Sequence, residues 1–189
     1  MFRKIPRSKL EFILNNPDEY VDLYTIQNKS VMNKILSGVY TVDESNCMFN
    51  EDGECDVIKF AYMWIKHKGK FDNYPVWSTL KSQIGKRRKD FYYNLNTIEI
   101  KFKKKCKDIL LSDYESWHCA LNGSHTIDFD STDRSSIIKS WDYILDVLRK
   151  PDKEYGSPTI QVCCNDIKIE DMISIKEVNP KRYIWEKSA

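Results

Sequence analysis

The chain has 189 residues, 41% of them hydrophobic and 13% aromatic, which is enough for one well-buried core and short for two. Its 30 Lys and Arg nearly balance 28 Asp and Glu, so the net charge of +2 excludes the strongly acidic or basic classes whose partner follows from charge alone. No run approaches ~18 uninterrupted apolar residues, so no membrane span is expected.

Met1 to Pro6 is basic but lacks the apolar run and small-residue cleavage site of a secretory signal. The six cysteines, at 47, 55, 106, 119, 163 and 164, form no Cys-x-x-Cys pair and no zinc-type spacing. These features predict a cytoplasmic protein with reduced thiols and no structural metal. An even cysteine count also fits three disulfides in a secreted chain, a reading that the missing signal disfavours.

In chain order, residues 1–17 form a polar and basic arm or accessory helix with one apolar cluster, Leu10, Phe12, Ile13 and Leu14. Residues 18–178 are the domain. Tyr20 to Gln27 is its first strand, and Ser30 caps a short helix stopped by Gly38. Val39 to Asp56 is too polar for a buried element and reads as a surface loop with a strand near Cys47-Met48-Phe49. Val57, Ile58, Ala61, Tyr62, Trp64 and Ile65 then make a broad apolar stripe on a helix that ends at Gly69. The spacing of Trp77, Leu80 and Ile84 after Pro75 predicts another helix, as far as Gly85.

The stretch from Lys81 to Lys107 carries ten cations against Asp90 and Glu99, a local charge of +8 in a chain of +2. Within it Ile98, Ile100 and Phe102 alternate with Glu99, Lys101 and Lys103, as in a half-buried strand with its cations outward. Asp108 to Ser112 is a short strand feeding a helix. Ser112 and Glu115 suit a capping box, Tyr114, Trp117 and Leu121 share one face, and Asn122-Gly123 ends the helix. Thr126 to Phe129 has the makings of a short strand, and Ile137 to Leu148 outlines the longest helix, closed by Lys150-Pro151. Strands follow at 159–163, 166–170 and 172–178, with residues 179–189 a tail. Strands at both ends with helices between them predict an α+β fold, a mixed or mainly antiparallel sheet with helices packed on it.

Several segments occur together in order: Leu23-Tyr24-Thr25-Ile26-Gln27, Ala61-Tyr62-Met63-Trp64, Tyr74-Pro75-Val76-Trp77, Leu110 to His118 with Leu121-Asn122, and Ser140-Trp141 before Ile160-Gln161. In this the chain resembles the DUF3841 family of uncharacterised bacterial and phage proteins over roughly residues 20–178. Ser78-Thr79-Leu80 departs from the pattern, standing where further aromatics are expected. The resemblance implies a cytosolic phage or bacterial protein and brings no reaction with it.

Two surfaces are candidates for function. Tyr24, Gln27, Tyr62, Trp64, Trp77, His118, Asn122 and Gln161 supply the aromatic walls and few polar groups that a planar ligand such as a nucleotide base requires, although such rings also simply fill cores. His118 brings an imidazole, the side chain that acid–base chemistry uses most often. Lys86, Arg87, Arg88 and Lys89, with Lys103, Lys104 and Lys105, form a basic stretch suited to nucleic-acid phosphates, with Phe91, Tyr92 and Tyr93 available to stack on bases.

The leading expectation is recognition of a nucleotide or nucleic acid in a phage- or defence-related setting, with no cofactor required. One alternative starts from Tyr24 to Gln27, an opening similar to the nicotinamide-binding start of ADP-ribosyltransferases. It implies NAD as cofactor, Thr25 or Gln27 as the binding residue, and Glu170 or Glu177 as the glutamate. Another is a protein-targeting inhibitor or interaction module without catalysis, steered onto an acidic partner by the basic stretch.

Overall fold

In the computed structural model, residues 5–44, 56–82, 96–147 and 159–178 are described. Helix α1 (Arg7–Asn15) leads into β1 (Tyr20–Asn28), α2 (Val31–Leu36) and the two-residue β2 (Val39–Tyr40). Helix α3 (Asp56–Gly69) precedes β3 (Val76–Ser78), β4 (Thr97–Lys105), β5 (Ile109–Asp113), α4 (Tyr114–Leu121) and α5 (Arg134–Ser140). The described chain ends with β6 (Ile160–Cys164), β7 (Ile167–Lys168) and β8 (Met172–Glu177).

Every strand pairing is antiparallel, in the orders β1-β4-β8, β2-β7 and β3-β6-β5. The two three-stranded sheets are joined where Tyr24 and Thr79 exchange backbone hydrogen bonds of 2.9 and 2.8 Å. The strand run is therefore β8-β4-β1-β3-β6-β5. Because side chains alternate across a strand, the pairings assign each residue to one of two faces. Val21, Leu23, Ile98, Ile100 and Phe102 share the inner face with Val76, Leu111, Val162 and Cys164, and all are buried. Leu10 and Ile13 of α1 join this core, so the N-terminal helix packs rather than hangs. The fold is a single α+β domain with antiparallel sheets.

Several elements differ from the sequence reading. Residues 76–78 are a strand: Val76, Trp77 and Ser78 pair with Cys164, Cys163 and Val162, and the helical spacing of Trp77 and Leu80 is coincidental. Ile137 to Leu148 is not the longest helix, because α5 ends at Ser140 and a 3-10 turn covers Trp141–Ile144. The 14-residue α3 is the longest described. Thr126 to Phe129 makes bends and turns instead of a strand, as its backbone is tied up locally: His125 Nδ1 accepts from the N–H groups of Ile127 and Asp128. The expected strand at Cys47 to Phe49 and the segment 83–95 lie outside the described residues.

The cap of α4 sits one residue later than the spacing suggests. Asp113, not Ser112, is the N-cap: its carboxylate accepts from the Ser116 N–H at 3.4 Å and the Ser116 hydroxyl at 2.7 Å. It also accepts from the Thr159 N–H at 3.2 Å, tying the start of α4 to β6. The helix ends at Gly123, whose φ of 65° is the left-handed conformation anticipated for it.

Candidate functional site

The outer face of the strand run is divided into two halves. Over β3, β6 and β5 it carries Trp77, Leu110, Ser112, Gln161 and Cys163, and helices α3 and α4 cover it. Tyr62 from α3 and Trp117 from α4 reach down to Trp77, with ring centroids 6.1 and 5.0 Å away, and meet each other at 5.7 Å. Three polar atoms here are buried without a hydrogen-bond partner: Trp77 Nε1, Ser112 Oγ and Gln161 Nε2. Ser112 lies beside the Cys163 thiol and opposes part of the rise that burial imposes on that thiol, but makes no hydrogen bond of ordinary geometry with it. Each such orphan typically costs ~1–3 kcal/mol. Three on one face of one small sheet are a localised cost.

Over β1 and β4 the outer face carries Tyr20, Asp22 and Tyr24 opposite Lys105, Lys103 and Lys101. Lys103 and Lys105 reach over the Tyr20 ring at 5.4 and 5.8 Å, and Lys101 over Tyr24 at 5.8 Å. Lys101 also pairs with Asp22 at 2.6 Å, and that hydrogen bond holds its pKa above the ordinary lysine value. Lys103 and Lys105 form no ion pair among the described residues. Tyr20 is 54% exposed, so its ring is open to stacking.

Lys104 departs from the role expected of it. Strand alternation turns it inward, where it is 8% exposed and donates to Asp166 at 2.5 Å and Asp171 at 2.7 Å. Burial lowers its pKa, but the two carboxylates outweigh that and hold it above the ordinary value. It ties β4 to the turn between β6 and β7 and to the 3-10 turn before β8, and presents no charge to a phosphate. Lys86, Arg87, Arg88 and Lys89, with Phe91, Tyr92 and Tyr93, lie outside the described residues.

The expected ligand-binding residues do not meet in one hollow. Tyr62, Trp77 and Gln161 share the covered half of the outer face, and Tyr24 lies on the same face across the Thr79 bridge. Trp64 projects from another side of α3 onto Trp141, at 5.8 Å. His118 packs on Tyr114 at 4.3 Å and its Nδ1–H donates to the Tyr114 carbonyl at 2.8 Å, a contact within α4. Asn122 is the C-cap of α4 and its side chain donates to the His118 carbonyl.

Gln27 donates to the Thr25 hydroxyl at 2.9 Å, and Thr25 donates to the Trp77 carbonyl at 2.7 Å, so both brace β1 against β3. Glu177 pairs with Lys29 at 2.6 Å at the exposed edge of β8, and Glu170 lies in the 3-10 turn Ile169–Asp171. Ser112 and Trp117 were missed as members of the aromatic cluster. The cross-strand pairing of β5 with β6, which brings them there, leaves no mark in a single sequence.

A shallow basin of about 360 Å³ lies elsewhere, lined by His125, Ile127, Ser136, Lys139, Ser140, Asp142, Tyr143 and Asp146. Among the described residues no group of three or more His, Cys, Asp or Glu is placed to hold a metal ion, and no helix is long and apolar enough to cross a membrane. No curated protein and no solved structure matches the chain. Residues 22–136, which hold most of β1 and all of α3, β3, β4, β5 and α4 but neither Tyr20 nor β6, match the model of a domain of unknown function, DUF3841, and the chain belongs to that family.

Proposed function

We propose that the protein binds single-stranded nucleic acid along the outer face of β1 and β4, in a cytosolic and phage- or defence-related setting. The observation that carries this is the grouping of Tyr20 with Lys103 and Lys105 on one exposed face, with no carboxylate within ion-pair distance of either lysine among the described residues, although Asp18 and Asp22 lie nearby. Lysines on alternate strand positions gain affinity by displacing counterions from phosphates, and an exposed ring beside them stacks on any base. A strand face suits single strands, whose bases splay onto it, better than a duplex whose bases are stacked away. The cytosolic setting is favoured by the four described cysteines, all of them free thiols.

The test is fluorescence anisotropy with a labelled single-stranded oligonucleotide across a salt series. Binding is expected to weaken linearly on a log–log plot, with a shallower slope in the double variant Lys103→Glu, Lys105→Glu and weaker binding in Tyr20→Ala. Affinity indifferent to salt, or unchanged in the double variant, rules this reading out. An interaction captured by pull-down that survives nuclease digestion would instead favour an acidic protein partner.

A further inference from the structure

We infer that the strip on β1 and β4 is built to a definite length, one unstacked nucleotide with the phosphate on either side of it, and that Asp18 and Asp22 set that length by occupying the lysines beyond. The inference rests on the reading of this face as a binder of single strands and says which part of a strand it holds. Four lysines stand at alternate positions, Lys101, Lys103 and Lys105 on β4 and Lys107 in the 3-10 turn Cys106–Asp108 that follows. The pairing with β1 continues past the strand, since Cys106 N–H donates to the Glu19 carbonyl and Lys107 N–H to that of Pro17, both at 2.8 Å. Alternate positions on a strand are about 7 Å apart, which is also the order of separation of neighbouring phosphates in an extended nucleic-acid strand.

The four lysines do not have equal freedom. At one end Lys101 pairs with Asp22 at 2.6 Å, and at the other Lys107 pairs with Asp18 at 2.7 Å. The middle two, Lys103 and Lys105, lean instead over the exposed ring of Tyr20, which lies opposite Lys105. Asp22 stands opposite Lys103 in the register, yet it is Lys101 that closes on it. Among the described residues the row is therefore held by a carboxylate at each end and open at its centre, with the ring beside the opening.

Two ammonium groups at alternate strand positions answer two successive phosphates, and the ring beside them takes the base that those phosphates flank. A ring accepts any base, so the unit is defined by its phosphates and not by its base. A further phosphate on either side would reach Lys101 or Lys107 only by breaking a hydrogen-bonded ion pair, and would then face the freed carboxylate, whose like charge repels it. Asp18 and Asp22 thus act as stops at the two ends of the row.

The test follows the anisotropy of the labelled oligonucleotide as it is displaced by adenosine 3′,5′-bisphosphate or adenosine 5′-monophosphate, on the intact chain and on Asp18→Asn, Asp22→Asn and Glu115→Gln. The bisphosphate is expected to displace the label, with the monophosphate at least about tenfold weaker, the loss that goes with one charge-assisted contact. Asp18→Asn and Asp22→Asn should each tighten oligonucleotide binding and steepen its log–log salt slope by about 0.7, the share of one more phosphate on a single strand. Glu115→Gln makes an equal change of charge at an exposed position of α4, over the other half of the outer face, and should leave the slope unchanged. The inference is overturned by a bisphosphate that fails to displace the label at millimolar concentration, by a monophosphate that competes as well as the bisphosphate, or by slopes in both aspartate variants that match the parent's or that Glu115→Gln reproduces. Where oligonucleotide binding still depends on Lys103 and Lys105, the strand reading survives these results. No oligonucleotide binding at any salt concentration removes both.

Discussion

Ser112 and Gln161 face one another across β5 and β6, both inside the protein, and neither side chain makes a hydrogen bond of ordinary geometry among the described residues, Ser112 having only the Cys163 thiol beside it. A close-packed interior has no reason to keep such a pair when Ala and Met fit the same space. Gln161→Met and Ser112→Ala are each expected to be neutral or to stabilise by about 1 kcal/mol, since removing an unsatisfied group recovers its desolvation cost. Urea denaturation measures this, and a loss of more than about 1 kcal/mol would show that the groups have partners after all.

Asp113, the next residue, has the opposite character. Its carboxylate takes two hydrogen bonds from Ser116 and one from Thr159 while being only 5% exposed. Asp113→Ala is expected to cost about 2 kcal/mol or more, because a cap and a tether to β6 are lost together. The contrast with Ser112→Ala locates the helix start. Equal costs for the two would place the cap where the sequence spacing suggests it.

The legibility of this chain follows the range of the interactions. Strands β1, β4 and β8 announce themselves through alternating apolar residues, β6 through a short continuous run, and Gly123 through its position after an amphipathic run, because these signals are local. Residues 76–78 read as helix because the partners that make them a strand, Val162 to Cys164, lie more than eighty residues on. The site suffers more. Tyr62, Trp77 and Gln161 were identifiable as residue types, but their meeting with Ser112 and Trp117, and the separation of His118 and Trp64 from them, are set by register and helix rotation. Lys104 shows the same limit, since it looks like its neighbours in sequence and has the opposite environment.

Lys104 sits between Asp166 and Asp171 at 9% side-chain exposure, so its removal leaves two carboxylates facing each other in a poorly solvated place. Lys104→Met is expected to destabilise by about 3–5 kcal/mol, the usual result of breaking a buried pair from one side. Lys103→Met and Lys105→Met should change stability by less than about 0.5 kcal/mol. Oligonucleotide affinity should divide the other way, falling in the Lys103 and Lys105 variants. For Lys104→Met it is measured well below that variant's denaturation midpoint and should hold. A Lys104→Met variant as stable as the parent would remove the structural role assigned here.

Burial also sets how stability responds to alkaline pH. Cys164 is fully enclosed, and burial pushes its thiol from the ordinary 9.0 up to about 12, the Lys104 charge offsetting only part of the rise. Burial likewise raises Cys163 well above its ordinary value, with Cys164 adding to the effect. Each thiol keeps its proton in the folded protein at a pH where the unfolded chain has released it. Their contribution is therefore complete below pH 9.0 and is lost as pH climbs through the folded value. The raised pKa of Lys104 acts in the same direction from 10.5 upward, because the unfolded lysine loses its charge first. Denaturation midpoints should hold steady between about pH 7 and 8.5 and fall progressively from about pH 9 to 11. Cys164→Ala, measured alongside, should lower the plateau through its lost packing yet flatten the decline. A parent and variant that fall in parallel would mean that the Cys164 thiol ionises as readily in the folded protein as in the unfolded chain.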